Sequence, residues 1–423
     1  MTGMPRRSPR LKPTVQRLAM LSLHTSPLLQ AGQGDAGGMN VYVRELVSAL
    51  AQAGIECTTY TRATGNDQLD RGRPGEVLVE PGHRVIHIPA GPFDLPKEAL
   101  PSVVDTFADA VRVHAEASGG VDVLHANYWL SGVAGHRLKH EMDLPLVTTF
   151  HTLARVKAEG GDPEPKRRER AEIDIIGCTD AICMSCPAEE EQFRRLYGTP
   201  PGRVEIVSPG VEHALFAPGN RAGARHALGL GDHPVLLFVG RIQPLKGADV
   251  AVQALAALNR PDAVLLIVGG ASGSQGDAEN TRVRRMVHEL GLDRQVRYVP
   301  AQQHHILSTY YRAADVVLVP SRSESFGLVA LEAAACGAPV VASAVGGLLT
   351  LVNHGVNGFQ VTDRNPQAFA DYTRRILDDR RLAAALSAGA AEGARRYTWS
   401  LAAARLRRLY ADLCVGALVE CAA

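Results

Sequence analysis

Apolar runs with the length of single β-strands alternate with helix-like segments along almost the whole chain. Most of the runs are continuous stretches of β-branched residues and leucine, which is typical of parallel strands buried on both faces. Their alternation with helices is the sequence signature of doubly wound α/β sheets. The first series of predicted strands covers residues 17–23, 56–60, 84–88, 121–125, 145–149, 181–185 and 204–207.

A second series repeats this pattern further along the chain. Its predicted strands are residues 235–239, 263–268, 296–299, 316–319, 339–342 and 359–361. Predicted helices include residues 40–53, 248–258, 280–290 and 328–335. We therefore predict two doubly wound, Rossmann-like domains that face each other across a cleft, with ligands bound at the carboxyl ends of the strands.

A stretch rich in proline and glycine separates the two series, and we place an interdomain linker there, at residues 208–220. The first domain is predicted to cover residues 15–207 and the second to cover residues 221–398. Several basic side chains in residues 1–14 predict a disordered basic tail. The amphipathic segment 399–423 predicts a helix that crosses the domain junction towards the first domain.

Composition and charge limit the function classes that fit the chain. Hydrophobic residues make up 46% and charged residues 21% of the 423 positions, as expected for a globular protein. A net charge of +1 gives no electrostatic case for a nucleic-acid partner, and no apolar run is long enough to predict a membrane span. The seven cysteines are odd in number and scattered along the chain, which favours a location in a reducing cytoplasm. The single CxxC of Cys183 and Cys186 is weak evidence for a metal site.

Two cations in the second series carry the clearest candidate chemistry. Arg241 and Lys246 lie in a glycine-bounded loop that directly follows the apolar run 235–239. Such a pair suits a diphosphate, because cations stabilise the charge that builds on a departing phosphate. A solvated surface loop is the alternative for either residue alone.

A second string in this series runs from Glu324 to Glu332 with the spacing E-x7-E. We predict that it starts a helix at Glu324, whose free N–H groups suit an anion or a sugar hydroxyl. Glu332 would then lie roughly 12 Å along the helix, about the span from a donor sugar to the ribose of a nucleotide-sugar. A carboxylate also accepts two hydroxyl hydrogen bonds well. Together the two strings predict a nucleotide-sugar site.

Polar residues also follow the predicted strands of the first series. A glycine-rich turn with Asp35 and Asn40 opens the first helix, where small residues let a ligand approach the backbone. A mere tight turn is the alternative. Other polar residues form a candidate site for an acceptor phosphate, unless the two cations among them are solvated surface charges. They are Lys97, Tyr128, Thr152 and Arg168.

The chain resembles retaining GT-B glycosyltransferases that share the E-x7-E motif. The strings that carry the likeness are residues 24–28, 34–42, 90–92, 128–132, 151–153, 208–210, 240–247, 311–315 and 324–332. Those of the first series resemble the branch that glycosylates inositol 3-phosphate at the first step of mycothiol synthesis. The resemblance implies transfer of N-acetylglucosamine from UDP with retention, with the UDP-sugar as co-substrate and no cofactor required for the chemistry.

The resemblance also implies roles for individual residues. The implied catalytic residues are His151, Arg241, Lys246 and Glu324. The implied donor contacts are Gln30, Gly38, Arg241, Lys246, Gln302, Glu324, Phe326, Gly327, Leu328 and Glu332. The implied acceptor contacts are His24, Asp35, Ala36, Gly37, Gly38, Met39, Asn40, Lys97, Tyr128, Thr152 and Arg168. A homodimer is implied as well.

A magnesium site is the last implied feature. Its ligands would be Tyr311, Arg312, Ala314 and Ala338. These residues offer mostly backbone oxygens, so the ion would be peripheral to the chemistry.

The chain departs from the family pattern on the acceptor side. Residues 125–128 read His-Ala-Asn-Tyr instead of His-x-His-Tyr, and residues 172–174 read Glu-Ile-Asp instead of Glu-Gln-Gln. The strand after them is rich in cysteine. Another phosphorylated sugar or polyol, as in a sucrose-phosphate-synthase-like enzyme, therefore stays open as the acceptor.

Several other mechanisms and function classes fit the sequence less well. No carboxylate is obviously placed as a nucleophile, so we predict same-face attack with the departing diphosphate taking the acceptor proton. A sugar-nucleotide epimerase would need no acceptor cluster. A pyridoxal-phosphate phosphorylase would need a suitable lysine, and none follows Lys246. A dinucleotide-dependent oxidoreductase would need G-x-G-x-x-G after the first strand, which is missing. A non-catalytic sugar-binding regulator is a minor alternative.

Overall fold

A computed structural model of the chain describes residues 15–32, 34–272 and 276–421. The basic tail predicted at residues 1–14 lies outside the described residues, as do the last two residues of the segment 399–423. The described chain forms two α/β halves, each built on one largely parallel sheet. The predicted doubly wound architecture is confirmed.

The first half contains nine strands. They are β1 (Arg17–Leu21), β2 (Glu56–Arg62), β3 (Leu69–Asp70), β4 (Arg73–Glu80), β5 (His83–Ile88), β6 (Val123–Asn127), β7 (Leu146–Thr149), β8 (Ala181–Met184) and β9 (Arg203–Ile206). They pair in the order β3-β4-β5-β2-β1-β6-β7-β8-β9. Neighbours are parallel from β5 to β9, whereas β3 and β4 add an antiparallel edge.

Six α-helices cover the faces of this sheet. They are α1 (Gly38–Gln52), α2 (Val104–Ala117), α3 (Trp129–Met142), α4 (Ala154–Glu159), α5 (Lys166–Cys178) and α6 (Pro187–Tyr197), with short 3-10 helices at Asn66–Gln68 and Lys97–Val103. Alternate residues of β1 serve opposite faces, since successive side chains of a strand point in opposite directions. Leu18 and Met20 join a core that includes α1, and Ala19 and Leu21 join one that includes α2 and α3.

The second half repeats the arrangement with an all-parallel sheet. Its strands are β10 (Val235–Val239), β11 (Val264–Val268), β12 (Val296–Val299), β13 (Val316–Val319), β14 (Val340–Ser343) and β15 (Gly358–Val361). They pair in the order β12-β11-β10-β13-β14-β15. Its helices are α7 (Arg221–Ala227), α8 (Ala248–Leu258), α9 (Gly276–Glu289), α10 (Leu307–Ala313), α11 (Leu328–Ala335), α12 (Leu348–Leu351), α13 (Pro366–Asp378) and α14 (Arg380–Ala394), with a 3-10 helix at His304–Ile306.

Each predicted strand is present, but the hairpin of β3 and β4 was not predicted. β4 contains Pro74 and Gly75, and its apolar residues Val77 and Leu78 are exposed, at 41% and 67% relative exposure. An edge strand with proline and without a buried run lacks the pattern by which central parallel strands are recognised.

The last helix, α15 (Trp399–Val415), packs on the first half rather than on the second. Its residues Trp399 and Leu406 share a core with Leu18 of β1. Its Tyr410 hydroxyl lies 2.6 Å from Nδ1 of His125 in β6. The first and last elements of the described chain, β1 and α15, therefore lie in the same half. Among the described helices, none is both long and apolar enough to cross a bilayer.

Candidate functional site

The carboxyl ends of the two parallel sheets meet around a cavity of about 300 Å³. This is the end of the strands at which doubly wound proteins bind ligands. The predicted site residues that line it are Gly37, Gly38, Met39, His151, Thr152, Arg241, Lys246, Gln302, Glu324, Phe326, Gly327, Leu328 and Glu332. Residues from both halves thus meet around one space of a size that suits a small ligand.

Lys246 and Glu324 form an ion pair inside this cleft. Lys246 Nζ lies 2.7 Å from Glu324 Oε2, and the Ser321 hydroxyl donates to the same oxygen at 3.3 Å. Lys246 follows β10, and Glu324 follows β13, the strand beside it in the sheet. The lysine is therefore held at the cavity wall by a carboxylate. A bound diphosphate would compete with that carboxylate for the charge of the lysine.

Arg241 lies across the cleft from the start of α1. A Cβ atom added at Gly37 would lie 3.2 Å from Arg241 Nε, so the guanidinium lies close to the backbone of this loop. Burial lowers the pKa of Arg241, and the charges of Asp35 and Glu324 oppose that effect. Among the described residues, Arg241 makes no salt bridge. A half-buried guanidinium of this kind is a candidate anion ligand.

Glu332 is buried and accepts two hydrogen bonds from side chains of its own half. His304 Nε2 lies 2.7 Å from its Oε1, and the Tyr311 hydroxyl donates to its Oε2 at 2.8 Å. Burial opposes protonation of His304, but the charge of Glu332 and the hydrogen bond to it outweigh this, so the pKa of His304 is raised. A carboxylate oxygen has two lone pairs, so Glu332 keeps capacity for a further hydroxyl donor.

The helix in the E-x7-E string has the bounds predicted at residues 328–335, but it does not extend back to Glu324 as the distance from Glu324 to Glu332 assumed. α11 starts at Leu328, after Gly327 adopts φ +104°, and Glu324 lies in the preceding loop. The predicted helical rise from Glu324 to Glu332 is therefore wrong for its first half. The loop brings Glu324 back to Lys246, while the free N–H groups at the start of α11 face the cavity through Gly327 and Leu328.

His151 follows β7 and is held in an uncommon backbone conformation, with φ +61°. Such a backbone conformation destabilises the folded state by about 1–3 kcal/mol and persists only where the surrounding structure fixes it. Its Nε2 lies 2.8 Å from Asn127 Oδ1, and its carbonyl oxygen accepts from the Ser325 hydroxyl of the other half. Burial lowers the pKa of His151 to about 3, so its imidazole is neutral near pH 7.

The predicted acceptor residues of the first half gather around Tyr128, beside the cavity. The His24 ring lies 4.4 Å from the Tyr128 ring, the Lys97 amine lies 5.4 Å from its centre, and the Arg168 guanidinium lies 4.9 Å from it. Burial and the nearby charges of Lys97 and other cationic groups lower the pKa of His24 well below its usual value. The structure therefore brings together residues that are far apart in the chain.

Arg168 is buried, and every one of its N–H groups faces a partner. Nε contacts Glu172 Oε1 at 2.8 Å. One terminal nitrogen contacts the Tyr128 hydroxyl at 3.1 Å and Glu164 Oε1 at 2.9 Å. The other contacts the carbonyl oxygen and hydroxyl of Thr152 at 2.7 and 3.0 Å. Arg168 thus fixes Tyr128 and Thr152 in place.

Glu164, which also contacts Arg168, lies in the loop between α4 and α5. The same carboxylate contacts Lys157 Nζ. Burial opposes ionisation of Glu164, but Lys157, Arg168 and Lys97 together lower its pKa. A carboxylate therefore occupies the point where three cations converge, which is the place predicted for an acceptor phosphate.

Eight of the predicted donor and acceptor residues do not line the cavity. They are His24, Gln30, Asp35, Ala36, Asn40, Lys97, Tyr128 and Arg168. Asn40 shapes the loop instead: its amide donates to Thr25 Oγ1 at 2.7 Å and to the Ser26 carbonyl at 2.6 Å, and its Oδ1 accepts from the Gly37 amide at 2.8 Å. Phe326 packs into the core of the second half, so it meets the cavity at that core's edge.

Direct hydrogen bonds join the two halves across the cleft. Gln30 Nε2 donates to the Ala301 carbonyl at 2.8 Å, Ser185 Oγ donates to the Ser325 carbonyl at 3.0 Å, and Ser272 Oγ contacts the Gly34 carbonyl. These contacts are local to the cavity rim. The structure therefore shows a closed arrangement of the halves.

The residues of the implied magnesium site do not fit that ion. They offer no carboxylate, the Tyr311 hydroxyl is engaged by Glu332, and the Arg312 guanidinium binds the carbonyls of Leu215 and Ala217. Magnesium in proteins is usually held by carboxylates and water in octahedral geometry. We derive no step through a metal ion.

Sequence reasoning missed four side chains near the cavity. Glu164 and His304 make the contacts described above, and Ser325 links the halves. Glu189 lines the cavity, where burial raises its pKa to about 7 against the hydrogen bonds from Ser185. Glu189 sits in a run of three glutamates at the start of α6, and nothing in that run marks which one turns inwards.

Two family models together match most of the chain. Residues 37–210 match the glycosyl transferase 4-like domain, and residues 202–393 match glycosyl transferases group 1. D-inositol 3-phosphate glycosyltransferase of Xylanimonas cellulosilytica is 48% identical over 414 residues, covering 94% of this chain and 96% of the relative. The enzyme of that name from Thermobispora bispora is 44% identical over 413 residues, covering 94% and 95%. The chain belongs to the glycosyltransferase group 1 family.

Solved structures agree with a GT-B glycosyltransferase. Sucrose-phosphate synthase of Thermosynechococcus elongatus has a TM-score of 0.87 and 34% identity, covering 94% of this chain and 99% of that one. HepE of Anabaena, crystallised with UDP and glucose, has a TM-score of 0.74 and 21% identity, covering 94% and 100%, and supports the fold alone. The protein is therefore a hexosyltransferase with the GT-B fold, as predicted.

If Lys246 stabilises a departing diphosphate, as predicted, Lys246→Ala should lower kcat on the order of 100-fold, because that cation is lost. Release of the nucleotide diphosphate product under saturating donor measures this. Arg260→Ala is the matched control, since Arg260 pairs with Asp262 and Asp378 on the surface of the same half. Near-normal turnover of the Lys246 variant would mean that Lys246 does not stabilise the departing diphosphate.

The His304–Glu332 pair predicts a pH-dependent stability. Because the folded-state pKa of His304 is raised, the pair contributes its full stabilisation below about pH 6.5, the unfolded value. That contribution is lost as the pH rises through the raised pKa. As the pH rises from about 6.5 through the raised pKa of His304, we expect the denaturation midpoint of the wild type to fall relative to that of His304→Gln. The control variant is His288→Gln, because His288 is exposed. Parallel plots of denaturation midpoint against pH for the wild type and His304→Gln would contradict the pairing.

Proposed function

We propose that the protein transfers N-acetylglucosamine from UDP to 1D-myo-inositol 3-phosphate, as the first step of mycothiol biosynthesis. The observation that carries the proposal is the placement of two cation groups on opposite sides of one cleft. Arg241 and Lys246 face the cavity from the second half, and Lys97 and Arg168 converge beside it in the first half. Two substrates that each carry phosphate suit this arrangement. The names of the relatives support inositol 3-phosphate as the acceptor.

The proposed reaction retains the configuration at the anomeric carbon. The bond from that carbon to the β-phosphate oxygen breaks, a bond to the acceptor hydroxyl oxygen forms on the same face, and the departing diphosphate takes the hydroxyl proton. Arg241 and Lys246 stabilise the charge on the diphosphate. Glu332 binds the ribose, and the N–H groups before α11 bind the donor sugar. His151, which is neutral near pH 7, contacts the sugar without adding a positive charge.

Glu189 bears on the alternative, a double displacement through a glycosyl-enzyme. It is the carboxylate at the cavity wall that the sequence did not reveal. Its Oε2 accepts from the Ser185 amide at 2.6 Å and also contacts the Ser185 hydroxyl, and its raised pKa keeps it partly protonated near pH 7. Both features disfavour a nucleophile, so same-face attack stays the proposed route.

A second acceptor class is favoured by one observation. The likeness to sucrose-phosphate synthase extends over nearly the whole chain at 34% identity, and the departures at residues 125–128 and 172–174 lie on the acceptor side. A phosphorylated sugar such as a hexose phosphate would use the same cations. The substrate test therefore includes both acceptor classes.

The test is release of UDP from UDP-N-acetylglucosamine and from UDP-glucose, each with and without inositol 3-phosphate or fructose 6-phosphate. We expect release that depends on UDP-N-acetylglucosamine and inositol 3-phosphate together. The anomeric coupling constant of the product, measured by NMR, tests retention. Release that needs fructose 6-phosphate instead would replace the acceptor and keep the transferase.

Glu164 gives a prediction about acceptor binding. An acceptor phosphate must displace its carboxylate from Arg168 and Lys157, so Glu164→Gln removes a competing charge. We expect the KM for the phosphorylated acceptor to fall severalfold, with the KM for the donor unchanged. Asp162→Asn is the matched control, because Asp162 contacts Lys157 at 2.9 Å but does not contact Arg168. A rise in acceptor KM in the Glu164 variant would mean that the carboxylate helps to bind the acceptor.

A homodimer and a cytoplasmic location complete the proposal. The homodimer rests on the resemblance, and the cytoplasmic location rests on the cysteine content of the chain. Analytical ultracentrifugation of the purified protein tests the oligomeric state.

A further inference from the structure

A second cluster of reactive side chains lies away from the cleft, on the first half. His136, His140, Cys178 and Cys421 each place one ligand atom in a group whose members all lie within 4.8 Å of one another. His140 Nε2 lies 3.2 Å from Cys178 Sγ and 3.1 Å from Cys421 Sγ. His136 Nε2 lies 3.4 Å from Cys421 Sγ. The reaction of the cleft uses none of these residues.

Three separate segments of the chain build the cluster. The two histidines are four residues apart on α3, so their rings lie on one face of that helix. Cys178 is the last residue of α5. Cys421 lies in the segment that follows α15. Convergence of these segments on one point requires that the end segment be held against the first half.

A buried ion pair holds that end segment independently of the cysteines. Lys139 Nζ contacts Asp180 Oδ1 at 2.8 Å, with both side chains buried, and also donates to the Cys178 carbonyl at 2.6 Å. The segment joins this pair through Val419, whose amide donates to Asp180 at 2.7 Å and whose carbonyl accepts from Lys139 at 3.0 Å. The position of Cys421 is thus set two residues away, at Val419, rather than by Cys421 itself.

Two thiolates and two imidazoles are a common ligand set for structural zinc, which they bind tetrahedrally. With zinc–nitrogen bonds of about 2.1 Å and zinc–sulfur bonds of about 2.3 Å, neighbouring ligand atoms lie roughly 3.3–3.8 Å apart. The nitrogen–sulfur distances of the cluster are close to this range. The cluster includes an exposed and two half-buried members, which leaves a path for the ion to enter.

We propose that, in the reduced protein, His136, His140, Cys178 and Cys421 bind one zinc ion that ties the segment after α15 to the first half. Binding releases the two thiol protons and leaves the imidazoles neutral, because zinc takes thiolate and unprotonated nitrogen. The site is structural, since four protein ligands leave no open position for a substrate.

The same two cysteines are bonded as a disulfide in this structure. A disulfide alone leaves the two imidazoles unexplained, because bonded sulfur is a poor hydrogen-bond partner for two ring nitrogens at once. Zinc uses all four groups. The two states exclude each other, so the experiment distinguishes them.

The experiment uses untagged full-length protein, purified with a reductant and without chelator, then dialysed against zinc-free buffer. We expect about one zinc per chain by plasma mass spectrometry, and a tetrahedral thiolate spectrum after replacement with Co²⁺. In Cys421→Ser and His136→Ala the metal content should fall on the order of 10-fold or more. After the bound metal is removed with a chelator, added zinc should raise the thermal midpoint of the wild type and leave that of these variants unchanged.

Cys57→Ser and His288→Ala are the matched controls, since they remove a buried thiol and an exposed imidazole outside the cluster. Both should retain zinc. Circular dichroism of each variant separates loss of the site from loss of the fold. Reduced wild-type protein that binds neither zinc nor Co²⁺, or a Cys178–Cys421 disulfide that persists under reductant, would overturn the proposal.

Discussion

The site depends on one constraint, the common direction of the strands in each sheet. In a parallel sheet every strand ends at the same edge, so each loop that follows a strand is delivered to that edge. Lys246 follows β10 and Glu324 follows β13, and these neighbouring strands therefore bring the two charges together. Because the two sheets present their carboxyl edges to each other, loops from both halves enclose a single cavity.

The sequence correctly predicted which residues of the second half reach the cleft, since all its predicted donor residues there line the cavity. Continuous apolar runs revealed the central strands, and the residues directly after them are the ones that the sheet carries to the cleft. What the sequence could not give is the partner of each charge. Nothing in the chain indicates that Lys246 meets Glu324, or that Glu332 is shared by His304 and Tyr311. Those pairs depend on loop conformations such as the turn at Gly327, which places Glu324 outside α11.

The acceptor side was predicted less completely, for a physical reason. Residue type reveals the candidate cations. Whether a cation can bind a phosphate depends on the protein groups that already contact it. Arg168 was predicted as a phosphate ligand, and the structure shows its N–H groups engaged by Glu172, Tyr128, Thr152 and Glu164. The loop that supplies Glu164 has no strand or helix pattern of its own. The edge hairpin of β3 and β4 escaped prediction for a related reason, since it has no buried face.

The return of α15 to the first half has a mechanical consequence. The chain passes between the halves twice, and the two crossings touch: the Val211 amide donates to the Tyr397 carbonyl at 3.2 Å, and a Cβ added at Gly210 would lie 2.1 Å from the Trp399 amide nitrogen. Because the two interdomain segments are in contact, they act together as one hinge between the halves. Sliding and twisting of the halves are then restrained, and rotation about that hinge is the motion left to open the cleft.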